Sequence, residues 1–92
     1  MRSRFSAYAV GDVDYVRRSW HPTTCPPDLV LDADVRWYRL DVLATTRGAV
    51  GDTAGTVEFR AFYREPGGAG SQHEVSRFVR EGAQWFYLDA VA

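Results

Sequence analysis

The chain has 92 residues, 46% of them hydrophobic, and a formal net charge of −1. This length suits one domain with one modest core, so we expect residues 1–92 to form a single domain, and the apolar content argues against disorder. The near-neutral charge argues against specific nucleic-acid binding, because a basic surface that neutralises phosphates supplies much of that affinity.

The number of cysteines and the length of the apolar runs indicate the cellular location of the protein. A single cysteine, Cys25, excludes an internal disulfide and a zinc cluster built from thiolates. No apolar run approaches the roughly 20 residues needed to cross a bilayer, and the first residues lack the apolar core of a signal peptide. We therefore expect a cytoplasmic protein without membrane contacts or cofactors, although a cysteine-poor secreted protein would look similar.

Two short helices are predicted at the start of the chain. The first spans Arg2–Val10, where apolar residues recur at helical spacing, and Gly11 is placed to end it in a left-handed conformation. The second spans Val13–Ser19, with Asp12 as its cap. These elements predict a helical opening to the domain.

The rest of the chain alternates with the period of two that is typical of strands. The predicted strands are Val35–Thr45, Gly55–Arg64, Gln72–Arg80 and Gln84–Ala90. A turn is expected around Gly48 and Gly51, and Pro66–Gly70 is expected to form a flexible loop. On the first strand, one face would carry Tyr38, Leu40, Val42 and Ala44. The order predicts an α+β fold, with N-terminal helices packed on a bent, four-stranded antiparallel sheet.

The last hairpin has two faces of different character. Its two-residue turn is either Glu81-Gly82 or Gly82-Ala83, and both choices leave the same side chains on each face. One face would carry Glu74, Ser76, Phe78, Arg80, Trp85, Tyr87 and Asp89, and the other His73, Val75, Arg77, Val79, Phe86, Leu88 and Ala90. The first set mixes aromatic bulk with polar groups, as ligand cavities do. We expect the concave side to hold Phe59, Tyr63, Phe78, Trp85 and Tyr87, together with Phe5 and Tyr8.

Five blocks of this sequence, in the same order, resemble the YchJ-type bacterial proteins. They are Met1–Tyr8, Trp20-His21-Pro22, Gly55–Phe59, His73–Phe78, and Trp85-Phe86-Tyr87 with Asp89. The resemblance implies a nuclear-transport-factor-2-like domain, which is a cystatin-like α+β cone with helices in the concavity of a strongly bent sheet. It implies no particular activity.

Longer members of that family carry a cysteine-rich, zinc-binding segment of the SEC-C kind before the first block. Residues 1–92 do not include such a segment. Three interpretations of Met1 stay open: a true shortened start, a misassigned start codon, or the boundary of a fragment. No zinc-dependent role of the longer proteins is carried over to residues 1–92.

Seven residues from separate segments are candidate ligand contacts in the concave cavity. They are Arg4, Tyr8, Trp20, His21, Glu74, Ser76 and Tyr87. Glu74 is the only carboxylate among them, and any chemistry is expected to centre on it as a general base, with Tyr8 or Tyr87 as hydrogen-bond donor. The favoured interpretation is structural: Glu74 forms an ion pair with Arg4 or a neighbouring strand arginine.

The remaining reactive side chains indicate no site of their own. His21 could be a general base, but a ring that stacks on Trp20 at the helix end is favoured. His73 has no cysteine or second histidine at ligand spacing, so no metal site is expected. Cys25 has no adjacent base and is not expected to be a nucleophile.

Three classes of function follow. The first is a module that binds a small ligand or peptide in the concave pocket, and the second is an interaction or dimerisation domain with a filled core. A small isomerase, hydratase or hydrolase comes third. An open cavity above ~300 Å³ with converging polar groups would favour ligand binding or catalysis, and a filled core would favour the interaction domain. We also expect a homodimer formed through the convex face at Val75, Val79, Phe86 and Leu88, because exposed apolar patches mark interfaces.

Overall fold

The computed structural model of the protein describes residues 1–47 and 52–91, and it contains two helices followed by one sheet. The elements are α1 (Arg2–Val10), α2 (Val13–Arg18), β1 (Arg36–Arg47), β2 (Ala54–Glu65), β3 (Gly68–Glu81) and β4 (Gln84–Ala90). The four strands are antiparallel and lie in chain order, β1-β2-β3-β4. The predicted α+β class and antiparallel sheet are confirmed. The turn predicted around Gly48 and Gly51 lies outside the described residues.

Both helix ends follow from local chemistry. Gly11 ends α1 with φ 76°, in the left-handed conformation expected of it. The backbone N–H of Tyr15 donates to Asp12 Oδ1 at 3.0 Å, so Asp12 caps α2 as predicted. Ser19 lies just beyond α2 and is buried at 8% exposure.

The loop predicted at Pro66–Gly70 is shorter in the structure. β3 begins at Gly68, four residues before the predicted start, so the turn is reduced to Pro66-Gly67. Tyr63 faces Gly70 in the strand register, and its hydroxyl oxygen would lie 2.7 Å from a Cβ placed there. The Tyr63 ring therefore packs over the backbone of Gly70. The pairing of β2 and β3 continues through this glycine-rich segment as far as Gly68.

Two bulges in β1 correct its predicted faces. Between Trp37 and Arg39 the register with β2 shifts by one residue, which leaves Tyr38 unpaired. The Tyr38 ring then lies 6.3 Å from that of Phe62, on the outer face, and Tyr38 is 51% exposed. An extra residue in one strand shifts the alternation of side chains beyond it.

The second bulge of β1 separates Val42, which pairs with Phe59, from Ala44, which pairs with Glu58. Ala44 therefore shares the outer face with Glu58. The predicted single face of Tyr38, Leu40, Val42 and Ala44 is wrong, since only Leu40 and Val42 pair with the helix-facing residues of β2.

A further irregularity corrects the end of the last hairpin. Its turn is Gly82-Ala83, because Glu81 pairs with Gln84. Phe78 pairs with Tyr87, but the next pair is Arg77 with Asp89, so the register shifts by one residue. Asp89 therefore leaves the face of Tyr87, where it was predicted. It receives hydrogen bonds from Arg77 Nε at 2.6 Å and Arg77 Nη2 at 2.5 Å.

The core lies between the helices and one face of the sheet. Its buried residues are Arg4, Ala7, Val16, Ser19, Phe59, Ala61, Ser76 and Phe78. Within the described residues, no helix is long and apolar enough to cross a membrane.

The segment after α2 runs along the free edge of β4. Tyr87 N–H donates to Ser19 O at 2.8 Å, and His21 N–H donates to Tyr87 O at 2.7 Å. Thr24 Oγ1 donates to Leu88 O at 2.6 Å. These bonds satisfy part of an edge that would otherwise expose unpaired backbone groups, and they hold Trp20 beside Tyr87.

Candidate functional site

A cavity of about 210 Å³ lies between α1 and the helix-facing side of the sheet. Its lining consists of Met1, Arg4, Phe5, Tyr8, Trp20, Trp37, Phe59, Ala61, Gln72, Glu74, Ser76 and Tyr87. Helical spacing brings Arg4 and Tyr8 to the same side of α1. Alternation along β3 brings Gln72, Glu74 and Ser76 to the same face of the sheet. Six of the seven predicted contact residues line this cavity, and His21 does not.

Arg4 is the most buried charged residue of the site, at 6% exposure. Its Nη1 donates to the Val16 carbonyl at 3.1 Å and to Ser19 Oγ at 2.8 Å. Ser19 Oγ in turn donates to the Tyr15 carbonyl at 2.9 Å. The guanidinium therefore bonds directly to the Val16 carbonyl, and through Ser19 Oγ it is linked to the Tyr15 carbonyl, at the C-terminal end of α2 where a positive charge is favourable.

Three aromatic rings surround the Arg4 guanidinium. Its Cζ lies 4.5 Å from the centroid of Tyr87, 5.2 Å from that of Trp20 and 5.8 Å from that of Tyr8. Each separation falls within the range at which a cation is attracted to a ring face. Trp20 and Tyr87 also contact each other edge to face at 5.0 Å. The cation is thus held by π faces and neutral oxygens.

Burial sets the protonation of this cluster. It lowers the pKa of the Arg4 guanidinium, while Tyr8, Tyr87 and Glu74 act in the opposite direction. Burial raises the pKa of Tyr8, and the charge of Arg4 opposes that rise. For Tyr87, burial first and then the nearby Glu74 carboxylate raise the pKa to about 12. At neutral pH both phenols keep their protons, and Tyr87 donates its own to Glu74.

Glu74 lies opposite Phe59 in the sheet and is half-buried. Its Oε2 accepts a short hydrogen bond from Ser76 Oγ and another from Tyr87 Oη at 3.3 Å. Its Oε1 accepts from Gln72 Nε2 at 3.3 Å.

The ion pair favoured from the sequence, between Glu74 and Arg4 or a strand arginine, is not formed among the described residues. The predicted fold brought Glu74 and Arg4 to the same cavity, but it gave no distance between their charged groups. The carboxylate is instead held by neutral donors.

The indole N–H of Trp20 is buried and has no hydrogen-bond acceptor within the part of the chain that the structure describes. A buried donor without an acceptor costs about 1–3 kcal/mol. Such groups are few in native structures. The Trp20 N–H is therefore a buried donor that the described residues leave unsatisfied.

His21 lies on the other side of β4. Its Nε2 is 2.7 Å from Glu81 Oε2, and its ring meets that of Phe86 edge to face at 6.0 Å. The predicted stacking of His21 on Trp20 is replaced by this contact, because the segment pairs along the edge of β4 and consecutive side chains of such a segment point to opposite sides of the sheet. The sequence did not indicate that this segment pairs with β4.

Trp37 and Gln72 line the cavity but were not predicted to do so. The Trp37 ring meets that of Tyr63 at 5.2 Å across β1 and β2. The position of Trp37 depends on the bulge at Tyr38, which the sequence did not indicate. Gln72 lies two residues before Glu74, so the alternation of β3 could have identified it.

Other reactive groups lie apart from the cavity. The ring of His73 pairs with Glu58 on the outer face, with Nε2 at 2.6 Å from Oε2. Cys25 is a free, half-buried thiol. The described residues contain no group of three His, Cys, Asp or Glu side chains arranged to hold a metal ion.

A second cavity, of about 340 Å³, lies on the other side of Met1. It is lined by Met1, Thr45, Thr46, Gly55, Thr56, Val57, Phe78 and Trp85. Its side chains are hydroxyl-bearing or apolar, without carboxylate or guanidinium. The polar and charged groups converge on the smaller cavity, which is therefore the better candidate site.

Comparison with known proteins places these residues in a family. The family model described as "YchJ, middle NTF2-like domain" matches residues 1–90. The chain belongs to this family. A UPF0225 protein of Streptomyces coelicolor is 48% identical over 89 residues, which cover 97% of this chain and 68% of the relative. A UPF0225 protein of Cupriavidus pinatubonensis is 46% identical over 95 residues, covering 97% of this chain and 65% of the relative.

Two solved structures are similar to this YchJ-family domain. A SEC-C motif containing protein from Rhodopseudomonas palustris has a TM-score of 0.81 and 32% identity, covering all of this chain and 74% of its own. A SEC-C motif containing protein from Psychrobacter arcticus has a TM-score of 0.74 and 30% identity, covering 97% of this chain and 56% of its own. The chain thus spans about two thirds of the first curated relatives and just over half of the Psychrobacter protein.

We predict that Arg4→Lys lowers the free energy of unfolding by about 2 kcal/mol, because an ammonium cannot reproduce the planar fork of the guanidinium. Urea denaturation followed by circular dichroism measures this change. Arg2→Lys, an exposed position on the same helix, is the control and should stay within about 0.5 kcal/mol of the parent. Equal effects of the two substitutions would contradict the role assigned to Arg4.

Proposed function

We propose that this YchJ-family domain binds a small molecule in the cavity between α1 and the sheet. The observation that carries the proposal is the convergence of a buried guanidinium and a half-buried carboxylate on one aromatic cavity, without an ion pair between them in the described residues. Ligand sites are typically apolar pockets with a few well-placed polar groups.

The size of the cavity limits the ligand. At about 210 Å³, it falls below the ~300 Å³ expected from the sequence for a ligand or catalytic site, and it is smaller than the roughly 300–1,000 Å³ of sites for drug-sized molecules. It corresponds to the space of about seven water molecules. A metabolite smaller than a typical drug suits this space, and a bound peptide would have to extend beyond it.

The proposal also includes the shape of the sheet. We propose that the sheet bends around α1 to form the cone of a nuclear-transport-factor-2-like domain, with the cavity inside it. The name of the matching family supports this shape, as does the burial of Phe59, Ala61 and Phe78 on the helix-facing side. A single domain over residues 1–92 and a cytoplasmic location, taken from the length and the cysteine count, are part of the same proposal.

Catalysis centred on Glu74 is a weaker candidate. Its carboxylate accepts hydrogen bonds from three side chains, those of Gln72, Ser76 and Tyr87. These bonds fix the carboxylate in the cavity wall, and the lining, among the described residues, holds no histidine or second carboxylate that could exchange a proton with it.

A homodimer is the second candidate function, and the outer face of β3 and β4 supports it. Val75, Val79, Phe86 and Leu88 are each only half-buried. Val79 and Phe86 are directly paired across the two strands. A second copy of the chain would cover this apolar surface.

We predict that Ala61→Leu abolishes ligand binding by filling the cavity. Ala61 is 4% exposed and lines the cavity, so a longer side chain occupies ligand space. Ligand-observed NMR with a mixture of small metabolites should give hits for the parent protein that disappear for Ala61→Leu.

Ala44→Leu is the matched control, because Ala44 is an exposed strand residue on the outer face. It should retain every hit. Hits that survive in folded Ala61→Leu protein would place binding elsewhere, and an absence of hits for the parent protein would contradict the proposed function.

The dimer is tested by light scattering on the purified chain. The monomer mass is 10.4 kDa, so we predict a mass of about 21 kDa that returns toward the monomer value in Phe86→Asp. A parent protein that stays near 10 kDa at high concentration contradicts the dimer.

A further inference from the structure

We propose that the ligand is a small zwitterion, an α-amino acid with an apolar side chain. Its carboxylate pairs with Arg4 and its ammonium group pairs with Glu74. This inference rests on the proposed function, since it names the ligand class of the same cavity.

The anion-binding end is defined by Arg4. The hydrogen bonds of its guanidinium to Val16 and Ser19 use only Nη1, and both acceptors are neutral oxygens. No carboxylate of the described residues lies at ion-pair distance from it. A buried cation is stabilised most by an anion at short range, and a guanidinium presents five N–H donors suited to a carboxylate. The three rings compensate its charge only in part.

The cation-binding end is defined by Glu74. A carboxylate has about four lone-pair sites, and the donors to Glu74 are hydroxyl and amide groups without charge. Two of the three contacts, from Gln72 and Tyr87, are long at 3.3 Å. An ammonium group would add the charge-assisted bond that neutral donors do not provide.

The two ends together select the ligand. Glu74 raises the pKa of Arg4, so the two charges act on each other across the cavity without forming a salt bridge. A simple amine would be attracted to Glu74 but repelled by Arg4 and by the α-ammonium group of Met1, which also lines the cavity. A simple anion would be attracted to Arg4 but repelled by Glu74. A zwitterion gains both attractions and adds no net charge to a partly desolvated site.

The walls and the volume point to an apolar side chain. The same cavity is also lined by Phe5, Trp37, Phe59 and Ala61. About 210 Å³ suits a molecule with the bulk of leucine or phenylalanine. A polar side chain would lose its hydration against these walls without regaining hydrogen bonds.

Titration calorimetry at neutral pH tests the charge requirement with matched probes. L-Leucine is compared with 4-methylpentanoate, which lacks the amino group, and with 3-methylbutylamine, which lacks the carboxylate. L-Phenylalanine is compared with 3-phenylpropanoate and 2-phenylethylamine. We expect at least one of the two amino acids to bind about tenfold more tightly than both of its analogues, since each missing charge removes a charge-assisted contact.

Glu74→Gln tests the cation-binding end of the cavity without changing Arg4, because it removes the negative charge while keeping the shape of the side chain. It should weaken binding of the amino acid by about tenfold and strengthen binding of the matching carboxylate, whose repulsion from Glu74 disappears. Glu58→Gln is the control, since Glu58 lies on the outer face beside His73. It should leave both affinities unchanged. Circular dichroism confirms that each variant is folded.

The outcomes distinguish this inference from the proposed function. If a carboxylate or an amine binds as tightly as its amino acid, or if a different metabolite binds in the Ala61 cavity and neither amino acid does, the zwitterion is wrong and the proposed function stands. If no small molecule binds in a manner sensitive to Ala61→Leu, the proposed function fails and this inference fails with it.

Discussion

The fold around the cavity depends on one buried guanidinium. Arg4 lies on α1, its Nη1 bonds to Val16 and Ser19 at the end of α2, and Tyr87 of β4 is the nearest of the three rings around it. The backbone of Tyr87 is also bonded to Ser19, so the same few residues join both helices to the edge of the sheet. Because a buried charge is costly unless its partners are correctly placed, this arrangement tolerates little displacement of α1, α2 or β4.

The candidate site is a consequence of this constraint. Fixing Arg4 against β4 fixes its position relative to Glu74, which lies on the adjacent strand and is held by Gln72, Ser76 and Tyr87. The structure keeps a cation and an anion on the same cavity without letting them form a salt bridge. A protein that needed only structural stability would gain more from closing that pair or from replacing it with apolar groups. The stability lost by keeping the two charges apart is the physical argument for function at this cavity.

The sequence predicted what local pattern determines and missed what pairing between strands determines. Gly11 and Asp12 gave the helix boundaries correctly, and alternation along β3 gave the shared face of Glu74 and Ser76. The bulge at Tyr38 and the register shift that moves Asp89 were not predicted, because a bulge depends on how two strands fit together. The absence of a Glu74–Arg4 ion pair could not be predicted either, since charge type alone does not give a distance.

The guanidinium of Arg4 itself provides the most direct measurement. Nitrogen-15 NMR of the arginine side chains reports both hydrogen exchange and ring-current shifts, and Arg2 serves as an internal comparison because it is exposed on the same helix. The structure predicts slowly exchanging Nη protons for Arg4, shifted by the rings of Tyr8, Trp20 and Tyr87, and averaged signals for Arg2. Identical, rapidly exchanging signals for the two arginines would contradict a buried guanidinium that connects the helices to the sheet.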